Sequence, residues 1–167
     1  MAWQAGQSIT ADGLNQMVPR FAFKAATTSR ASTTTATADP DLTLDLGADD
    51  LGDWAIEIFL NATGAALGAG DIKVGLSYSG TVGDGVWMGQ GTDTAAITSL
   101  HGFGRSIDDL TQSFGVNGGN FSVVSINGSI SPTTTGTLAV VWAQNTSSAT
   151  ATNLRVGSWM KLTRMDL

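Results

Sequence analysis

Along residues 152–163 the chain alternates Leu154, Val156, Ser158, Met160 and Leu162 with Asn153, Arg155, Gly157, Trp159 and Lys161. A period of two with one apolar and one mostly polar side fits a half-buried strand, because successive side chains leave a strand on opposite faces. Just upstream, Gly136–Gln144 places Leu138, Val140 and Trp142 on one face and Ala139, Val141 and Ala143 on the other. Both faces are apolar, which suits a central strand. Between the two runs, Asn145, Thr146, Ser147 and Ser148 supply short polar side chains that bond locally and reverse the chain.

Earlier segments repeat the pattern. Phe21, Phe23 and Ala25 alternate with Ala22, Lys24 and Ala26, giving residues 20–28 an apolar face. Residues 29–38 hold no aliphatic side chain larger than Ala and read as a loop or loose edge strand turning at Asp39-Pro40-Asp41. Leu42, Leu44 and Leu46 form a one-sided strand; Trp54, Ile56, Ile58 and Leu60 form another, and so do Ile72, Val74, Leu76 and Tyr78. Pairing of the last two would set Glu57 opposite Lys73. Val86-Trp87-Met88 reads as a short strand between exposed Gly-rich loops, and residues 106–110 as one helical turn capped by Ser106. Asn117-Gly118-Gly119-Asn120 signals a hairpin ahead of a strand over residues 121–130. The sum is roughly eight strands with no crossover helices, hence an all-β antiparallel sandwich or barrel.

Composition narrows the function. Glu57 is the only Glu, and charged residues make up 13% of the chain, a poor supply for helix surfaces. With no cysteine, disulfides and thiolate metal sites are excluded. Lys and Arg number 8 against 14 Asp and Glu and are scattered, so no basic patch is available for nucleic acid. No apolar run approaches the roughly 20 residues of a membrane span. The opening residues also lack the basic start and apolar core of a secretory signal, which places synthesis and retention in a cytoplasm. A chain of 167 residues is expected to form one domain that buries roughly two-thirds of its unfolded surface.

Ahead of the first strand, residues 8–17 are expected to form one short helix. Thr10 is the N-cap, Asp12 lies in the first turn, and Ile9 and Leu14 form a hydrophobic staple. Val18 and Pro19 end it. Because so short a helix is unstable alone, Trp3, Ile9, Leu14 and Met17 need a surface to pack on. Residues 1–19 therefore read as an attachment segment and 20–167 as the β domain.

The run GTLAVVWAQNTSSATATNLRVGSWMKLTR resembles the closing hairpin of small structural proteins from tailed bacteriophages of actinobacteria. The opening WQAGQSITADGLNQMVP resembles the start of minor tail and fibre-like proteins of the same viruses, a pattern close to W-x-x-G-x-x-[IV]-T-A-x-x-L-N. Trp3, Gly6, Ile9, Thr10, Ala11, Leu14 and Asn15 match it. The resemblance implies a non-enzymatic virion protein, made in the host cytoplasm and displayed on the particle as a minor tail, fibre or capsid-decoration subunit. It also implies a jelly-roll-like sandwich, assembly as a homotrimer, and other capsid or tail proteins as partners.

Side chains that could carry chemistry are few. His101 is the sole histidine, in a Gly-rich stretch, and neither Ser99 nor Ser106 beside it lies in a nucleophile turn. Catalysis and cofactors are therefore not expected. Asp39 with Asp41, and Asp49 with Asp50 and Asp53, are the acidic clusters; neither has the spacing of a helix-flanked calcium loop, and both read as turns. Five Trp against one Tyr is a more telling count. Trp54 and Trp142 have apolar neighbours and read as core, whereas Trp159, on the polar side of its strand, joins Val141 and Ala143 as a candidate subunit interface. Trp87 with His101, Asn117 and Asn120 are the candidate glycan contacts of an alternative, a carbohydrate-binding receptor module for the host surface.

Overall fold

The computed structural model describes residues 17–64, 68, 70–95, 100–109, 111–118 and 121–165, with only the backbone of His101 and Phe103. The expected N-terminal helix, with Trp3, Ile9 and Leu14, lies outside the described residues. Among those described, the elements in order are β1 (Arg20–Phe23), β2 (Thr28–Arg30), β3 (Thr37–Leu46), a 3-10 turn (Ala48–Asp50), β4 (Trp54–Thr63), β5 (Ile72–Tyr78) and β6 (Val82–Thr92). They continue with β7 (Leu100–Ser106), β8 (Gln112–Phe114), β9 (Ser122–Pro132), β10 (Gly136–Gln144), β11 (Thr152–Leu154) and β12 (Trp159–Arg164). The larger sheet runs β1-β12-β4-β9-β6-β7, with β11 bridging β4 to β2, and the smaller runs β3-β10-β5-β8. Every strand pair is antiparallel.

One core lies between the sheets. β4 turns Trp54, Ile56, Ile58, Leu60 and Ala62 inward, β9 adds Val124, Ile126 and Ile130, and β12 adds Met160 and Leu162. Facing them are Leu42 and Leu46, Ile72, Val74, Leu76 and Tyr78, then Leu138, Val140 and Trp142. The alternation of β4 and β5 in the sequence marked the residues that these two strands turn inward.

Several expectations are corrected. The strand expected over residues 20–28 stops at Phe23, and its inward residues are Ala22 and Lys24, not the phenylalanines. The Asp39-Pro40-Asp41 segment continues β3 and is no turn. Asp39 and Leu42 are both buried, which strict alternation forbids; the β3–β10 register shifts between Ala139 and Val141 and absorbs the extra residues. Glu57 does not meet Lys73, because β4 and β5 lie in different sheets; across β12 it pairs with Lys161 at 2.9 Å. The stretch holding His101 is β7, not a loop. The expected turn at residues 106–110 forms no helix among the described residues: Asp108 has φ +65° and its carboxylate accepts from the Tyr78 amide at 2.8 Å. Asn117 and Gly118 do not close a hairpin, since β8 and β9 lie in different sheets and the chain crosses the core there through buried Phe114 and Val116.

Trp87 is 2% exposed in the interior of β6, its indole N–H donating to the Ser106 carbonyl at 3.2 Å. The glycines around it, read as loop formers, have a packing role instead. A Cβ on Gly89 or Gly91 would come within 2.7 Å of the Phe114 ring, so their bare backbone lets that ring lie against β6.

At the seam where β1 and β3 approach, the Lys24 ammonium is buried and donates to both Asp39 carboxylate oxygens at 2.8 Å. Asp39 also accepts from the Trp142 indole N–H at 3.0 Å and from the Asp41 amide at 3.1 Å. Arg30 lies over Trp142 with its guanidinium carbon 4.2 Å from the ring centroid and donates to the carbonyls of Thr37, Ala38 and Trp142. Burial lowers the Arg30 pKa, with the Asp39 charge opposing that shift. These bonds give the buried charges partners that water would otherwise supply.

Candidate functional site

The outer face of the larger sheet carries the molecule's main exposed apolar surface among the described residues. Directly opposed residues in antiparallel strands share a face, so the register Phe23↔Trp159↔Phe59 forms one aromatic row across β1, β12 and β4. Phe21 stacks on Phe23 with centroids 5.6 Å apart, and Phe59 stacks on Trp159 at 6.4 Å. Phe21 and Phe23 are 47% and 64% exposed. Both offset stacks hold their rings in place before any partner arrives.

The neighbouring row runs Phe21, Lys161, Glu57, Asn127 and Met88. The Lys161–Glu57 pair sits at its centre, 2.9 Å apart and open to solvent. Val86, Met88 and Val123 extend the apolar character over β6 and β9, all exposed. At one end, exposed Phe121 lies under the Arg155 guanidinium, whose carbon is 4.6 Å from the ring centroid. Exposed aromatic and aliphatic side chains set around polar residues are the composition of a docking face. β1 ends the sheet order, so among the described residues its outer backbone edge pairs with no strand beside these phenylalanines. Edges are normally guarded by charge or proline, not by aromatic rings.

The candidate residues from the sequence are scattered. Trp159 lies half-buried on this face. Val141 and Ala143 lie on the opposite outer face of the sandwich, where Ala143 is fully buried and Val141 half-buried. Val141 Cγ2 and Thr111 Cγ2 both lie within 3.3 Å of the place a Gly75 Cβ would take, so the missing side chain lets them close over that strand. The apolar surface expected from these two residues is thus largely spent inside the chain. Met17 is exposed, next to β1. Asn117 is half-buried, its amide donating to Ser122 Oγ at 3.0 Å, and Asn120 is outside the described residues. Trp87 in the core shares no surface with Asn117, so the proposed glycan set does not converge on it.

Sequence reasoning missed Phe21 and Phe23 as surface residues, whereas the alternation of β4 does put Phe59 on the side away from Ile56 and Ile58. The available signal was Lys24, which shares a face with Ala22: a lysine opposite two phenylalanines left the direction of β1 undecided without knowledge of Asp39. Among the described residues no group of three or more acidic or histidine side chains could hold a metal ion, and no helix is long and apolar enough to cross a membrane. No family model matches the chain, and no curated protein matches it.

Proposed function

We propose that this chain is a non-enzymatic structural subunit of a tailed-bacteriophage virion, displayed on the particle exterior and held in its assembly by the outer face of the larger sheet. The observation that carries the reading is the pre-stacked aromatic row of Phe23, Trp159 and Phe59, with Phe21 beside it, on a face that no other element covers among the described residues. Burial of such rings is the main source of association energy in protein interfaces. The partner is another copy in a homotrimer, or a neighbouring capsid or tail protein, with residues 1–19 as the attachment segment. The placing on a virion rests on the resemblance of the opening and closing motifs.

The strand orders support a jelly-roll form of the sandwich. With the β6–β7 hairpin and the short β2 and β11 set aside, the remaining strands stand first, eighth, third and sixth in one sheet, and second, seventh, fourth and fifth in the other. That order is what a folded-over pair of Greek keys produces. On this reading β6–β7 is an insertion that widens the larger sheet and its docking face.

A labelled antibody against the purified chain, imaged on intact particles, tests the proposal. Regular labelling of tail or capsid supports it, and unlabelled particles that infect normally overturn it. The alternative, a carbohydrate-binding module, keeps exposed Phe121 and Arg155 as a stacking platform. Binding of the pure chain to host cell-wall glycan, abolished by Phe121→Ala, would favour it.

A further inference from the structure

Lys24, Asp39, Asp41 and Trp142 form a group that the docking face does not use. The Lys24 and Asp39 side chains are wholly buried, and Nζ stands 2.8 Å from each Asp39 oxygen. An atom so placed lies about 3 Å from the carboxyl carbon, within the separation of a near-attack arrangement. Each Asp39 oxygen also has a second donor, the Asp41 amide on Oδ1 at 3.1 Å and the Trp142 indole on Oδ2 at 3.0 Å. A second carboxylate is at hand: Asp41 Oδ2 lies 3.3 Å from the same Nζ. Thr28 Oγ1 accepts from that nitrogen at 2.8 Å and fixes its direction. A buried amine, a carboxyl carbon in contact, two neutral donors on its oxygens and an adjacent proton carrier are the parts that amide formation requires.

We propose that Lys24 and Asp39 join in an intramolecular isopeptide bond formed by the chain itself, with Asp41 as proton carrier. Asp41 takes one proton from the Lys24 ammonium and passes it to Asp39, so that a neutral amine faces a neutral carboxylic acid. The nitrogen lone pair attacks Cγ of Asp39, and the Trp142 indole and Asp41 amide hold the charge that develops on oxygen. The Cγ–O bond then breaks, and the hydroxyl leaves with a second proton from nitrogen as one molecule of water. Nothing is oxidised or reduced, and no co-reactant is needed. Exclusion of solvent from the pair protects the product from hydrolysis.

The bond would join residues 15 apart and tie the end of β1, in the larger sheet, to β3, in the smaller. In a chain without cysteine it supplies a covalent clasp that a disulfide cannot. Pro40 follows Asp39 and has no amide N–H, so the commonest competing loss of water at an aspartate, closure on the next backbone nitrogen, is blocked at this position.

Intact mass spectrometry of the folded full-length chain, followed by fragmentation of its tryptic peptides, tests the proposal. The expected result is a mass lower by one water, no cleavage after Lys24, and a branched peptide joining Lys24 to Asp39. Lys24→Arg keeps the charge but removes the amine, and that chain should keep its full mass with an unchanged far-UV signal. Asp41→Asn should fold and also keep its full mass; a cross-linked Asp41→Asn chain would overturn the proton-carrier role. A wild-type chain at full mass after prolonged incubation at neutral pH overturns the proposal, and so does a water loss that maps elsewhere.

Discussion

The outer face of the larger sheet presents Phe21, Phe23, Phe59, Trp159 and Met88, whereas that of the smaller presents Thr43, Asp45, Ser77, Ala139 and Val141. Both faces are made by alternating strands, and both stand opposite the same core. They differ in how the chain treats their side chains. On the smaller sheet the residues are small, Gly75 lets Val141 and Thr111 close together, and little apolar area is left over. On the larger sheet the rings stack on one another yet keep much of their surface in water. Only the second arrangement has free energy left to give to a partner.

The largest effect expected from breaking this arrangement is on stability, from the side of β4 that faces inward. Ile58 and Phe59 are neighbours on opposite faces. Ile58→Ala should cost about 2–5 kcal/mol in urea denaturation, because it empties a fully enclosed site. Phe59→Ala should cost well under that, since the site is open to water on one side. Equal costs would mean that Phe59 belongs to a core and not to a docking face.

Association should follow the faces in the opposite way. Phe23→Ser and Trp159→Ser each remove an anchor of the aromatic row, and each should weaken self-association or docking by about 2 kcal/mol, roughly thirtyfold. Val141→Ser on the smaller sheet should leave association unchanged. Sedimentation of the three variants over a micromolar range decides the matter, and a reversed order would move the interface to the smaller sheet.

A smaller effect is expected at the Lys161–Glu57 pair in the middle of the face. Lys161→Met should change stability by at most about 1 kcal/mol, with a difference that shrinks as salt is added. A large, salt-independent loss would show that the lysine stem, and not its charge, supports Trp159 and Phe21 on either side.

The smallest expected signal comes from the seam that joins the two sheets. The Ala26 amide holds the Asp41 carboxyl below the usual carboxylate range; burial opposes that shift, and the hydrogen bond from Lys24 adds to it. A depressed folded-state pKa means that the unfolded chain binds the proton first. The contribution of Asp41 is therefore complete above the ordinary carboxylate range and is lost as pH falls through its lower folded value. A melting series from neutral to acid pH should show a steeper acid decline for wild type than for Asp41→Asn; parallel curves would remove Asp41 from the acid sensitivity.

The strands of β4, β5 and β10 were legible in the sequence because each buries one row against the other sheet, and hydrophobic side chains at a period of two have no other use. Trp54 and Trp142 were assigned correctly for the same reason. Trp87 was not: its core position depends on Gly89 and Gly91 leaving space for Phe114, a residue from a different sheet. β1 was read with the wrong side inward. Lys24 is buried there because Asp39 waits for it from β3, and no local pattern carries that partnership.

By itself the sequence determined the secondary-structure type, the antiparallel pairing and most of the core, since alternation and turn chemistry act between near neighbours along the chain. Which strands share a sheet, which way β1 faces, where Glu57 finds its lysine and which outer face stays apolar were decided only in the tertiary structure. These depend on contacts between residues far apart in sequence, such as Lys161 with Glu57 and Trp142 with Asp39, whose energies exist only once strands distant along the chain have paired side by side.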